Sequence, residues 1–378
     1  MKVVIAMDSF KGSLSSINAG NAAKAGIERV CNAEIIVKPL ADGGEGTTDA
    51  LIEGLGGEYV TLSVTGPLGE KTTAKYGILS DKKTAVMEIA EAAGIVLAKR
   101  QGLNPLKATT YGVGEMILDG ICRGCRKFII GIGGSATSEG GVGMLQALGY
   151  EILDDKGFPI KPGLQNLEKI ASINSKNVPK ELSQCHFRIA CDVTNPLCGE
   201  QGAVYVYGPQ KGIFEEELPF FDEKIKYFAD KTLEYTGRDC RMTKGAGAAG
   251  GLGFAFLSYL PNVELQSGIH IVLEAVGLEQ DIRDADWVLT GEGSLDSQTA
   301  MGKAPVGVAR LAKKYGVKVL AFAGGIEKDA VECNTAGIDA FFPIVRGITT
   351  LEKAMEPSNA SENMALATEQ VFRLITLL

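Results

Sequence analysis

"VVIAMDSFKGSLSS", residues 3–16, decides how this chain is read. The apolar run Val3–Met7 is short and continuous, as expected of a strand buried on both faces, and Asp8 and Ser9 end it abruptly. Ser13, Ser15 and Ser16 then stand where a helix wants its N-cap, ahead of a helical pattern through Ile17–Val30. A strand whose C-terminal end opens through a polar loop into a helix is half of a βαβ unit. In open α/β sheets that end is where ligands bind.

Outward from this stretch the habit repeats. Glu34–Leu40, Thr47–Leu55 and Tyr59–Val64 continue the alternation, and the last third resumes it with "ADWVLTGEG" (285–293), "VKVLAFAGG" (317–325) and "DAFFPIVRG" (339–347). Helical patterns at Val306–Lys314 and Asp329–Ala336 separate these strands, and a longer one closes the chain. The middle has another texture, with strand-like runs at Lys71–Gly77, Thr84–Ile89, Lys127–Gly131 and Phe187–Asp192 between long loops, and a turn-rich connection "TGPLGEK" at 65–71. The expected fold class is α/β with two domains. Residues 1–65 and 285–378 form a Rossmann-like parallel-sheet domain built from both chain ends, residues 66–284 form an inserted α/β domain, and a cleft lies between them.

Bulk properties narrow the function. The 378 residues carry 38 basic and 46 acidic side chains, a net charge of −8, and no dense Lys/Arg cluster, which argues against nucleic acid or anionic membrane as partners. The apolar run after Lys2 is too short for a secretory h-region, and no apolar stretch approaches the roughly 20 residues of a membrane span. A cytoplasmic location is expected. The 8 cysteines then read as reduced thiols, and "CRGC" at Cys122–Cys125 lacks the second pair a zinc ribbon needs, with only His186 and His270 to assist.

Glycine, 48 residues in all, is clustered: "ADGGEGTTD" (41–49), "GIGGSATSEGGVG" (131–143), "GAGAAGGLG" (245–253) and "GEGSLDSQTAMGKAP" (291–305). Such loops let backbone N–H groups surround an anion, so phosphate is the ligand they suggest. Within the second cluster Gly131, Gly133 and Ala136 fit G-x-G-x-x-A after a strand, with Asp154 and Asp155 about twenty residues on, the dinucleotide fingerprint. Against it, Gly140, Gly141 and Gly143 would weaken the required helix by about 1 kcal/mol each. An NAD-linked oxidoreductase of a small hydroxy acid is therefore the alternative to phosphoryl transfer, and a non-enzymatic two-lobed binding protein is a third reading. No Walker-type P-loop occurs, since "SQTAMGKA" has Ser297 and Ala304 at positions that motif reserves for Gly and Ser/Thr. Phosphoryl transfer needs carboxylates and cations near the phosphates, and the chain places Asp8, Asp42, Glu45, Asp192 and Asp296, with Lys11, Lys211 and Lys303, beside its glycine loops.

Eight blocks, "DSFKGSLS", "PLADGGEGT", "TTYGVGEMI", "GIGGSATSEGG", "ACDVTNPLCG", "YGPQKG", "GAGAAGGLG" and "GEGSLDSQTAMGKAPVGVA", resemble in order those of the bacterial type-1 glycerate kinase family, from residue 8 to 309. The resemblance implies an ATP- and Mg2+-dependent kinase of D-glycerate, with 2-phosphoglycerate the favoured product and a two-domain, partly Rossmann-like fold. Where relatives commonly read "SATNDGG", this chain has Ser138 and Glu139. Within that frame Asp192 is the first choice for general base, with Asp296 or Asp8 next, and Lys11 serves an anionic group. Ser9, Lys11, Asn195 and Lys303 are expected at the substrate. Gly133, Gly134, Ser135 and Thr137, together with Gly291, Gly293 and Ser294, are expected on the ATP phosphates, and Asp42 and Glu45 on Mg2+. Expected partners are the small-molecule substrates alone; a homodimer stays open.

Overall fold

The computed structural model describes residues 1–377. They group into two compact units, the first taking Met1–Asp42, Asp49–Gly56 and Ile269 onward, the second Gly43–Thr48 and Gly57–Gly268. The expected boundaries stood at 65/66 and 284/285. At the first boundary the difference comes from the strand Gly57–Thr65, which pairs antiparallel with Lys71–Leu79 through the "TGPLGEK" turn, closed by a Gly66 N–H to Glu70 carbonyl bond of 2.6 Å; the second falls earlier, after Gly268. The alternating burial of Gly57–Thr65 is that of a strand with one covered face, unlike the continuous run at the N-terminus.

In the first unit five strands lie in the order 340–343, 318–326, 287–295, 2–7, 34–39, and every pairing is parallel. Lys2–Met7 is interior, with Val3 opposite Trp287 on one side and Ile35 on the other, which explains why it is apolar on both faces. Ser15 caps the helix Ser16–Glu28 by accepting from the Asn18 N–H. Ser16 does something else: its hydroxyl donates to the Met7 carbonyl at 2.6 Å and accepts the Leu40 N–H at 2.7 Å, so it ties together the ends of two adjacent strands. The terminal helix Pro357–Ile375 lies against that helix, where Thr368 Oγ1 donates to the Ala23 carbonyl.

The strand order has a functional consequence. The chain leaves 2–7 for 34–39 in one direction and leaves 287–295 for 318–326 and 340–343 in the other, so the order reverses between the two central strands. Connections that diverge from their C-terminal ends leave a crevice there.

The second unit holds a six-stranded sheet, ordered 263–266, 186–190, 127–131, 84–88, 71–79, 57–65, the first four parallel and the last two antiparallel, plus a small antiparallel pair, 151–153 with 172–174. Its core is aromatic, with Phe128 stacked on Phe187 at 5.0 Å and Phe187 against Phe256. The dinucleotide fingerprint is not realised. After Lys127–Gly131 the chain stays in a loop until Val142, where Gly141, in the left-handed region at φ 81°, precedes the helix Val142–Ala147. Asp154 accepts the N–H groups of Lys156 and Phe158 in a turn of the small antiparallel pair, so it does not end the second strand of a βαβ unit.

Candidate active site

In the first unit the reversal point collects carboxylates. Asp8 follows the strand Lys2–Met7, its N–H donating to the Gly291 carbonyl at 2.8 Å, and it is only 6% exposed. Its Oδ1 accepts the Ser9 N–H at 2.7 Å. Burial first, then the neighbouring charge of Asp42, and more weakly that of Glu292, push the Asp8 carboxyl up to about 7 against the opposing pull of the Ser9 N–H and Lys11. Glu292 is raised as well, by burial and by Asp296 and Asp42, although Thr299 and Lys303 oppose the shift; Thr299 Oγ1 donates to its Oε1 at 2.6 Å. Asp296 goes the other way. Its slight burial is outweighed by the Thr299 N–H it accepts as N-cap of the helix Ser297–Ala300 and by Lys303, whose Nζ lies 3.6 Å away, so it stays below the usual carboxylate range. Lys11 is exposed on the loop after Asp8.

One expectation about this region needs correction. Gly291, Gly293 and Ser294 do not form a turn: the strand Trp287–Leu295 runs through them, with Gly291 opposite Phe322 and Ser294 opposite Gly325. Gly291 is glycine because a Cβ there would come 2.1 Å from the Phe322 carbonyl oxygen, a close approach between neighbouring strands. Hydrogen bonding along this stretch serves the sheet first.

In the second unit the parallel strands end in a different chemistry. Glu88 closes the strand Thr84–Glu88 and accepts the N–H groups of Gly46 and Thr48 at 3.2 and 2.9 Å, which fixes the 43–48 loop. Glu45 in that loop is exposed. Asp192, just beyond the strand His186–Ala190, is exposed and accepts the Gly268 N–H at 3.1 Å. Asn195 donates its side-chain amide to the Gln201 carbonyl and accepts from the Tyr207 hydroxyl at 2.6 Å. After Lys127–Gly131 come Gly133 and Gly134, both exposed, then Ser135, Thr137, Ser138 and Glu139, all buried. Lys211 reaches this loop, its Nζ 3.0 Å from Ser135 Oγ and 2.6 Å from the Thr137 carbonyl.

Glu139, the departure from the family pattern, lies inside this unit. Its Oε1 accepts from Thr109, Thr110 and Gly143, and its Oε2 from Gly163, so the carboxyl group pins three chain segments together. The "GAGAAGGLG" cluster is also buried: Gly250, at φ +67°, would put a Cβ 1.9 Å from the Thr137 carbonyl oxygen, and its own carbonyl accepts the Gly140 N–H. This cluster packs against the 133–141 loop from behind, so close backbone contact accounts for its glycines.

A profile of the glycerate kinase family matches residues 3–376. The chain belongs to the glycerate kinase family. A Bacillus subtilis glycerate kinase is 46% identical over all of this chain and 98% of its own, and an Escherichia coli glycerate 2-kinase is 42% identical over 98% and 97%. A crystal structure from Salmonella typhimurium LT2, provisionally described as glycerate kinase 2, superposes with a TM-score of 0.92 at 42% identity, covering 100% of this chain and 98% of that one. Glycerate kinase membership removes support from the oxidoreductase alternative, in agreement with the unrealised fingerprint, and the α/β class holds. No helix among the described residues is long and apolar enough to cross a membrane.

The Mg2+ that the resemblance implies would need carboxylates to hold it. Among the described residues no three His, Cys, Asp or Glu side chains converge as a ready cage. Mg2+ is commonly held by one or two carboxylates, with water and substrate phosphates completing the shell. Asp42 and Glu292, whose charges both bear on buried Asp8, fit that arrangement, since a cation there would relieve their mutual repulsion. Sequence reading passed over Glu292 and Glu88, and met Glu139 only as a departure from the family pattern. Glu292 and Glu88 do stand at the ends of apolar runs, the position that drew attention to Asp8.

Proposed function

We propose that this protein transfers the γ-phosphoryl group of ATP to the 2-hydroxyl of D-glycerate, giving ADP and 2-phosphoglycerate. The observation that carries the reading is Asp8, a buried carboxylate with raised proton affinity at the strand-order reversal of a glycerate kinase chain. A group that takes up a proton near neutrality suits a base for a reacting hydroxyl better than Asp192, which is exposed on the other unit. Asp8 accepts the hydroxyl proton as the oxygen attacks phosphorus. Lys11, with the Ser9 backbone at the head of the same loop, pairs with the glycerate carboxylate. Lys303, anchored on Asp296, is a second cation for an anionic group.

Asp42 and Glu292 would hold Mg2+, which when bound neutralises charge on the phosphate oxygens. Glu45, exposed in the second unit, is not needed for that role. The experiment is incubation with ATP, Mg2+ and D-glycerate, following ADP and taking a proton-coupled phosphorus NMR spectrum of the product. Glycerate-dependent ADP and a doublet, from one proton on the carbon bearing the ester oxygen, are expected. No ADP above the ATP-only control would sink the reading, and a triplet would move the phosphate to the 3-hydroxyl.

A further inference from the structure

The second unit buries the side-chain nitrogen of Lys211 with no counter-charge beside it among the described residues. Lys211 ends the short turn Pro209–Lys211 of "YGPQKG" and is 3% exposed. Its described partners are neutral, the Ser135 hydroxyl and the Thr137 carbonyl, and no ion pair reaches it among the described residues. A buried charge ordinarily has an opposite charge beside it, because its desolvation is otherwise uncompensated. A lysine kept for packing alone would be better served by methionine. The loop it grips adds a second observation. Gly133 and Gly134 are exposed, Gly134 is in the left-handed region at φ +68°, and the N–H groups of Gly133, Gly134 and Ser135 have no acceptor among the described residues. Successive free N–H groups in such a turn form a concavity for an oxyanion.

We propose that Lys211 is the cationic element of a phosphate-binding site on the Gly133–Ser135 turn, and that this site holds the phosphates of the nucleotide. The inference rests on the kinase reading above and gives it a place for ATP. Lys211 acts as a positioning residue. It holds Ser135 and the Thr137 carbonyl while its charge favours an anion on the exposed side of the loop. Burial is the sole cause pushing the Lys211 ammonium down to about 7, and no charged side chain from any neighbouring element contributes. In the ligand-free protein above neutrality Nζ is largely the free amine. An arriving phosphate supplies the missing counter-charge, so the amine takes one proton from solvent as the anion binds.

The test is calorimetric titration of ADP with Mg2+ into the full-length protein at pH 8, in two buffers of different ionisation enthalpy. The wild type should take up close to one proton per ADP, whereas Lys211→Met should take up none and show a KM for ATP raised about tenfold or more, with a smaller change in kcat. Ser135→Ala, which retains the lysine, should raise the KM for ATP several-fold while keeping the proton uptake. Heats independent of buffer in the wild type would overturn the proposal, as would an unchanged KM for ATP in both variants; Lys211 would then be only a tie between loops. If Lys211→Met does not fold, wild-type proton uptake and the Ser135→Ala kinetics still decide. Glycerate-dependent ADP release by the wild type, measured alongside, separates failure of this inference from failure of the kinase reading.

Discussion

Both units present the C-terminal edge of a parallel sheet, and the two edges carry opposite chemistry. The first gathers Asp8, Asp42 and Glu292, whose mutual repulsion and burial raise the proton affinity of Asp8 and Glu292. The second sets glycines, hydroxyls and Lys211, which has no ion pair among the described residues, in the corresponding position. The same topology thus carries a cluster of carboxylates at one edge and, on the inference above, an anion site at the other. Backbone architecture fixes where a site lies; the side chains at the strand ends decide which charge it accepts.

The sharpest way to break this comparison is Asp8→Asn. It should lower kcat by about 100-fold or more, the scale of lost base catalysis, while the KM for ATP changes little. The same change should stabilise the ligand-free protein. Folded Asp8 binds its proton more tightly than unfolded Asp8, so its contribution to stability is complete below the usual carboxylate value near 4 and is lost as pH rises through about 7. At pH 8 the variant should therefore melt higher than the wild type in calorimetry, and the difference should shrink by pH 4. An equally active Asp8→Asn would return the base to Asp192.

Gly250→Ala probes the other edge from behind. A Cβ at φ +67°, 1.9 Å from the Thr137 carbonyl oxygen, should cost about 2 kcal/mol or more in denaturant unfolding and raise the KM for ATP, because it displaces the loop Lys211 holds. Full stability with an unchanged KM would show that the buried glycine cluster does not support the nucleotide loop. Asp192→Asn should change kcat by less than tenfold, since asparagine still accepts the Gly268 N–H and proton transfer is assigned elsewhere. A larger loss than that of Asp8→Asn would reverse the assignment. Smallest of all, Asp296→Ala removes an N-cap and an ion pair and should cost about 1 kcal/mol of stability, read as a shift of the denaturant midpoint.

Much of the fold was legible because its signals are local. Val3–Met7 reads as a buried strand from five adjacent side chains, and Ser15 as an N-cap from its place before a helical pattern. Other features misled for equally local reasons. "GEG" at 291–293 looks like a turn, yet the glycines serve close contact between neighbouring strands. "GAGAAGGLG" has a ligand loop's composition but is buried behind the 133–141 loop, and Tyr59–Val64 has the alternation of a strand without a sign of which sheet it joins. Glu292 and Lys211 gain their meaning from neighbours far away in the chain.

By itself the sequence determined the α/β class, the family blocks and the strand ends at which chemistry would gather, since each depends on residues close together along the chain or on an ordered set of motifs. Only the tertiary structure decided which strand ends carry which charge state. Desolvation and Coulomb energy depend on burial and on distance in space. Asp8 acquires its proton affinity from burial first and then from Asp42 and Glu292, and Lys211 loses its own through enclosure against residues 135 and 137.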